Sequence, residues 1–367
     1  MTTTSTNPAA QRAGNLPERM RAAVLFAPRD MRVVEKAVPV PGPDEVLVKV
    51  AMCGMCGTDL KIYDGHFPQT PPYGQYTPGH EWTGTVVACG ETVDEFAPGD
   101  RVCIEAHHGC GRCDNCLAGL YTACLNYGNR KEGHRASGMT TDGGFAEYAV
   151  HNVASLYKMP ENVSFKDAVL ITTAGTGLYG IDATGGYIAG DNVVVFGPGP
   201  VGLMTVQACK QLGARRVILV GTRASRLEMG RRLGADHVVN AREEDVVATV
   251  HELTGRGADL VIETSGATST PQQCVDVVRR GGKILFVAFY PEPVTFDLSA
   301  VVRNDVTMYT TRGEGGNNVK RAVALAEMGR LQGEELVTHE FPLEEIQEAL
   351  RVMREREGDP LKVVITF

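Results

Sequence analysis

The stretch that most narrows the possible folds is Asp191–Leu212, DNVVVFGPGPVGLMTVQACKQL. Its opening run, DNVVVF, is of the kind expected of a strand buried on both faces of a parallel sheet. The run passes straight into Gly197-Pro198-Gly199-Pro200-Val201-Gly202, which fits G-x-G-x-x-G. Helical spacing takes over across Val201–Leu212. A strand before and a helix after are the context that this otherwise weak pattern requires. The first glycine permits the tight turn, the second lets a pyrophosphate approach the backbone, and the third lets helix and strand pack closely. The helix N-terminus then faces the phosphates. Gly197, Gly199, Pro200, Val201 and Gly202 are therefore expected to hold a dinucleotide.

The same texture continues downstream. Arg216–Val220 reads as a second strand and Ser225–Leu233 as a second helix, with further strands at Leu260–Glu263 and Lys283–Ala288. Strand–helix alternation at this spacing predicts βαβ units on a parallel sheet. Upstream the pattern is different. Short runs such as AAVLF, MRVVE and VLVKV, punctuated by Pro-Gly-Pro-Asp, indicate a β-rich unit, and this style continues through Thr83–Ala88, Arg101–Glu105 and Gly144–Val150. After about Thr310 come two helical stretches, Asn318–Arg330 and Leu343–Glu355, and a last strand, Lys362–Phe367. The expected organisation is α/β: a disordered tail over 1–18, a β-rich domain over 19–173 completed by 311–367, and a doubly wound parallel-sheet domain over 174–310.

The end of the second strand discriminates between dinucleotides. An acidic residue there would bind a ribose 2′-hydroxyl, whereas this chain has Gly221-Thr222-Arg223, with Arg226 nearby. A hydroxyl and a guanidinium suit a 2′-phosphate, so Thr222 and Arg223 point to NADP ahead of NAD.

Metal ligands are the second signal. Cys110-x2-Cys113-x2-Cys116-x7-Cys124 sets four thiols on one short glycine-containing loop. Four thiolates close a tetrahedral zinc site with no open position, which is a structural site. The long final spacing and the lack of a Cys-Pro ending favour zinc over an iron–sulfur cluster. Clustering of this kind, in a reducing compartment, argues for metal rather than disulfides among the ten cysteines. The stretch AMCGMCGTDLKIYD (Ala51–Asp64) and the triplet Gly79-His80-Glu81 add Cys56 and His80, two good ligands for a borderline-soft cation, with hydroxyl and charged groups close behind. They are read as holding a catalytic zinc.

Charge and hydropathy exclude other classes. A net charge of −8 and a pI near 5.7 leave no basic face for nucleic acid. No run approaches the length of a membrane span. The N-terminal MTTTSTNPAAQRAGNLPERM has no apolar core of a secretory signal, so a cytoplasmic location is expected.

Together these motifs resemble the zinc-containing medium-chain alcohol dehydrogenase family, nearer its polyol, sorbitol and threonine dehydrogenase branch. The resemblance rests on CGMCGTD (Cys53–Asp59), GHEWTGTVVACG (Gly79–Gly90), the four-cysteine lobe, DGGFAEY (Asp142–Tyr148) and GPGPVG (Gly197–Gly202), in this order. It implies a GroES-like catalytic domain and a Rossmann domain. It also implies that Cys56 and His80 are catalytic zinc ligands, that Glu81 is the neighbouring glutamate that binds or flanks the metal, and that Thr58 contacts the substrate oxygen and starts a proton relay. Asp59 would stand behind the metal, and Cys53 is the motif's extra, non-ligating cysteine. Two positions depart from the pattern. Thr172 stands where a third protein ligand usually lies, and threonine is a poor one: either Glu81 supplies the third ligand, or Thr172 merely lines the site, or the metal binds weakly. Lys61 replaces a relay histidine.

The implied activity is hydride transfer between a secondary alcohol (polyol, cyclitol or sugar-like) and NADP or NAD, with one catalytic and one structural zinc. The partners are then a small-molecule alcohol or ketone and further copies of the chain in a homodimer or homotetramer. The alternatives are a zinc-independent NADPH enone or quinone reductase, and a non-catalytic dinucleotide-binding protein with a decayed metal site. Tyr63, His66, Phe67, Tyr73, Tyr76 and Trp82 either line the substrate pocket or pack the loop around the metal motif. His134 and Arg135 read as part of a solvated basic loop.

Overall fold

The computed structural model describes residues 16–367, so the tail expected over 1–18 lies outside the described residues up to position 15. The chain divides into two units, one running through Thr172 and resuming over Gly333–Phe367, the other spanning Thr173–Gln332.

The second unit is built on six parallel strands, in the order His237–Asn240, Arg216–Gly221, Asn192–Phe196, Ala258–Glu263, Val278–Phe286, Thr307–Thr310. This is the doubly wound sheet that the sequence alternation implies. Its core is apolar and β-branched, with Val194, Phe196, Ile218, Val220, Val261 and Ile284 all buried. Each such side chain contributes about 1.5–3 kcal/mol by leaving water. Helix ends follow local chemistry. Asp245 caps the helix Val246–Thr254 by accepting from the Ala248 N–H, and Gly255 closes it at φ +75°.

Two features of this unit depart from the sequence expectation. The unit does not stop at 310 but runs to Gln332, because helix Asn318–Glu327 is fastened inside it. Val319 and Ala322 are fully buried, and Asp182 accepts from both Asn318 (3.1 Å) and Arg321 (2.6 Å). Residues Ile171–Ala183, given no element from sequence, form a helix. Its glycines weaken helical propensity, yet packing selects them. A Cβ would lie 2.9 Å from Val319 at Gly175, 2.4 Å from Thr205 at Gly177 and 2.7 Å from Leu285 at Gly180.

In the first unit a seven-stranded sheet runs in the order Val337–Pro342, Lys362–Thr366, Glu45–Met55, Glu81–Cys89, Arg101–Ile104, Leu156–Lys158, with Tyr148–Asn152 also paired to Glu45–Met55. The chain's last strand thus lies antiparallel against its third, with Val364 opposite Gly54. The large core side chains include Trp82, Tyr76 and Phe145. Trp82 is fully buried with its indole N–H on Ser137 Oγ at 3.0 Å, and Tyr76 is fully buried with its hydroxyl on the Gly138 carbonyl. Both therefore pack the loop. The reading of a solvated basic loop fails at both of its residues. His134 is fully buried, accepts from the Gly128 N–H at 3.0 Å and lies 4.4 Å from the Tyr127 ring, while Arg135 pairs with Glu45 at 2.9 Å. Among the described residues no helix is long and apolar enough to cross a membrane.

A buried histidine gives this unit a pH-dependent stability. His151 is 1% exposed, donates from Nε2 to the Glu105 carbonyl at 2.8 Å and packs edge-on to Trp82. Burial lowers its pKa to about 4. The unfolded chain, with an ordinary histidine near 6.5, then binds more protons than the folded one between these values. Stability from this group is complete above pH 6.5 and is lost as pH falls towards 4, by about 3 kcal/mol at most. Replacing His151→Asn should flatten the acid limb of a Tm-versus-pH curve in that window. An unchanged limb would contradict the assignment.

Candidate functional site

The site begins at a helix start. Glu45–Met55 ends and the short helix Gly57–Tyr63 begins with Cys56 at its N-cap, in extended conformation (φ −132°, ψ 175°). The Cys56 sulfur accepts from the Thr58 N–H at 3.3 Å, and Asp59 Oδ2 accepts from the Cys56 N–H at 2.8 Å. This is a capping box with a thiol in the place of serine. It fixes the direction of the sulfur with bonds the helix start needs anyway. Thr58 lies half-buried on the first turn, and Lys61 is exposed.

His80 comes immediately before the strand Glu81–Cys89, which pairs with Glu45–Met55. Its Nε2 lies 3.1 Å from the Cys56 sulfur, and its Nδ1 lies 3.3 Å from Asp59 Oδ1. Asp59, 1% exposed, therefore holds both the cysteine backbone and the far side of the imidazole. An imidazole braced by a carboxylate on one nitrogen presents the other to a metal. Burial opposes a charge on His80, but Cys56 and Asp59 outweigh it and push its pKa well up. The surroundings favour a cation.

Glu81 opens that strand, buried at 7% exposure, opposite Gly54 in the sheet register. One ligand atom each from Cys56, His80 and Glu81 lies within 4.8 Å of the others. A thiol, an imidazole and a carboxylate suit zinc with a position left open. Thr172 is not one of them: its hydroxyl donates to the Ile104 carbonyl at 2.7 Å, and the side chain is 2% exposed.

Sequence reasoning missed Lys362. This lysine, 1% exposed, reaches from the last strand to pair with Glu81 Oε2. Burial alone would lower its pKa, but Glu81 and Cys56 outweigh that and hold it raised. The signal was present, since a lysine opening an apolar strand (KVVIT) is out of place unless it has a buried partner. Gly54 makes room for the pair: a Cβ there would lie 2.8 Å from Lys362 Cε and 2.9 Å from Glu81 Oε2.

Cys110, Cys113, Cys116 and Cys124 also converge within 4.8 Å of one another. Backbone and side-chain N–H groups are aimed at the sulfurs, with Asn126 Nδ2 3.3 Å from Cys110 and the Asn126 N–H 3.4 Å from Cys124. Hydrogen bonds from the Arg112 backbone and the Asn126 side chain lower the Cys110 pKa to about 6. Such donors stabilise thiolates, the form that binds metal.

In the second unit, Gly197 adopts φ +100°, and a Cβ there would lie 2.8 Å from Ser265. The space at Gly199 is open, and Gly199 caps the helix Pro200–Gln211 with Pro200 at its first position. A Cβ at Gly202 would fall 1.9 Å from the Gly197 carbonyl. Turn, open approach and tight contact match the three glycine roles of a pyrophosphate loop. Thr222 and Arg223 follow directly on the strand Arg216–Gly221, and Arg223 is the N-cap of the helix Ala224–Arg232.

Comparison with known proteins finds a family for both parts of the chain. Residues 42–161 match the model of the alcohol dehydrogenase GroES-like domain, and residues 200–328 match that of the zinc-binding dehydrogenase domain. The chain belongs to the zinc-containing medium-chain alcohol dehydrogenase family. This dehydrogenase is 33% identical to the sorbitol dehydrogenase of Halalkalibacterium halodurans, over 91% of this chain and 95% of that one. A putative zinc-binding dehydrogenase from Sinorhizobium meliloti 1021, solved with NADP, superposes with a TM-score of 0.88 at 30% identity, covering 96% of this chain and all of that one (100%). An alcohol dehydrogenase from Escherichia coli CFT073, solved with NADH, gives 0.86 at 27% identity, with coverage of 96% and 100%.

The Glu81–Lys362 pair yields a stability test. Lys362→Met strands a buried carboxylate and should cost the metal-free dehydrogenase about 3–5 kcal/mol in urea denaturation. Glu81→Gln combined with Lys362→Met removes both charges and should recover most of that loss. Additive losses in the double variant would show that the two do not act as a pair.

Proposed function

We propose that this dehydrogenase interconverts a secondary alcohol of polyol, cyclitol or sugar type and its ketone, using a catalytic zinc and NADP. The observation that carries the reading is the convergence of Cys56, His80 and Glu81, with Asp59 bracing His80 from behind. Cys56, His80 and Glu81 would hold the metal, and the four cysteines 110, 113, 116 and 124 would hold a second, structural zinc. When bound, zinc supplies a Lewis acid for the substrate oxygen, and the dinucleotide supplies the hydride acceptor.

The residues of this chain then have separate tasks. Asp59 keeps His80 and the Cys56 backbone in place, and Lys362 pairs with Glu81 Oε2. Thr58, one residue past Glu81's partner ligand Cys56 and its glycine, offers a hydroxyl that takes the substrate proton outward. The departure at Thr172 is accommodated because its hydroxyl serves the Ile104 carbonyl, so Glu81 is the third protein ligand. The polyol class rests on the likeness to sorbitol dehydrogenase. NADP rests on Thr222 and Arg223, with no carboxylate at that strand end, and on the NADP held by a structural relative.

Three measurements test this reading. Cys56→Ala or His80→Ala should abolish turnover and remove one zinc per chain in metal analysis while dinucleotide binding persists; near wild-type kcat would end the catalytic-zinc assignment. Cys113→Ser should also cost one zinc but show mainly as a lowered Tm. In a screen of sugar alcohols, cyclitols, threonine and simple secondary alcohols, kcat/KM should be higher with NADP than with NAD. Arg223→Ala should erode that preference roughly ten- to a hundredfold, the worth of one charge-assisted hydrogen bond. A wild type that prefers NAD would refute the cofactor assignment.

A further inference from the structure

The sheet of the second unit carries a buried carboxylate that neither motif nor metal accounts for. Glu263 ends the strand Ala258–Glu263 and is 0% exposed. Among the described residues no cation pairs with it, and neutral donors fill its oxygens. Oε1 accepts from the Ser265 N–H at 2.8 Å, from the Ser265 hydroxyl and from the Thr270 hydroxyl at 3.0 Å. Oε2 accepts from the Tyr290 hydroxyl at 2.7 Å, and the Gly266 N–H lies 3.3 Å from both oxygens. A buried charge is tolerated when its acceptor sites are filled in this way.

The donors follow two different strands. Ser265 and Gly266 belong to the loop after the strand Ala258–Glu263, Thr270 opens the helix Thr270–Val277 that follows it, and Tyr290 lies in the loop after Val278–Phe286. The Val287 N–H donates to the Glu263 carbonyl at 3.0 Å, so backbone and side chain of one residue hold both loops. The first of these loops lies against the pyrophosphate turn. Thr264 donates its N–H to the Phe196 carbonyl (2.9 Å) and its hydroxyl to the carbonyls of Phe196 (2.7 Å) and Gly197 (3.1 Å). Ser265 is the residue that a side chain at Gly197 would strike.

The place of these loops in the topology matters. Strand order runs outward one way from Asn192–Phe196 and the other way from Ala258–Glu263. Ligands of open α/β sheets bind outside the carboxyl ends of the strands at such a reversal. Glu263 sits at that carboxyl end.

We infer that Glu263 is a positioning residue for the dinucleotide: it clamps the loops 264–270 and 287–290 so that Thr264 and Ser265 hold the pyrophosphate turn in its binding shape. This rests on the reading of the dehydrogenase as a nicotinamide-dinucleotide enzyme. A glutamine at 263 keeps the shape but offers one oxygen with two lone pairs to donors that now fill two oxygens. Phenylalanine at 290 removes only the donor of the second loop.

The test measures Kd for NADP and NAD by titration calorimetry, and KM and kcat for the dinucleotide, on the metal-loaded full chain. Glu263→Gln should weaken dinucleotide binding about tenfold, the loss of one to two hydrogen bonds' worth of positioning, with the fall in kcat/KM carried mostly by KM. Tyr290→Phe should weaken it in the same direction by about threefold. A role confined to stability would lower Tm and leave Kd of the folded protein unchanged, and that result overturns the inference. Should Glu263→Gln fail to fold, an unchanged Kd in Tyr290→Phe overturns it equally. A wild type that binds neither dinucleotide overturns the underlying cofactor reading as well, whereas wild-type binding with unaffected variants overturns the role of Glu263 alone.

Discussion

The first unit depends on a buried charge that has to be answered from the far end of the chain. Glu81 stands on a strand packed against the core, where an unpaired carboxylate would be costly. Lys362, 281 residues later, answers it. The ion pair cannot form unless the last strand docks beside Glu45–Met55, and that strand cannot dock with a buried lysine unless Glu81 is there. Gly54 between them is the steric condition for both. Placement of the Glu81 carboxylate beside Cys56 and His80 and closure of the sheet are thus one event.

Around this pair the site is built from requirements that each residue meets twice. Cys56 caps a helix and offers a sulfur. Asp59 completes the capping box and braces Nδ1 of His80, whose far nitrogen then faces the sulfur at 3.1 Å. A single turn of helix therefore sets the Cys56 sulfur and braces the His80 ring, and the neighbouring strand sets Glu81. Rigidity comes from ordinary folding bonds, so the geometry is held without dedicated supports.

Much of this was legible from sequence where the signal is local. Gly197–Gly202 was readable because a buried-strand run precedes it and helical spacing follows it, and the four cysteines are close enough in sequence to be read as one site. Long-range partners were harder. Lys362 carries no motif, and only its misfit at the head of an apolar strand hinted at a buried mate. His134 and Arg135 looked solvated because basic residues near glycine usually are, yet Tyr127 and Glu45 draw them inward. Helix Ile171–Ala183 was masked by glycines that lower its propensity and are present for close contact. The extent of the second unit was misjudged for the same reason, since the anchor of Asn318 and Arg321 is Asp182, far away in sequence.

The interruption of the first unit by the second has a consequence for biosynthesis. The sheet that presents His80 and Glu81 lacks a central neighbour until Lys362–Thr366 has left the ribosome. By then all of Thr173–Gln332 has been made and can complete its own hydrophobic core. Domains that are contiguous in sequence fold as units while synthesis continues. The nascent chain therefore carries a finished second unit while the first still exposes an open strand edge, and Glu81 gains its buried partner only once Lys362–Thr366 has docked.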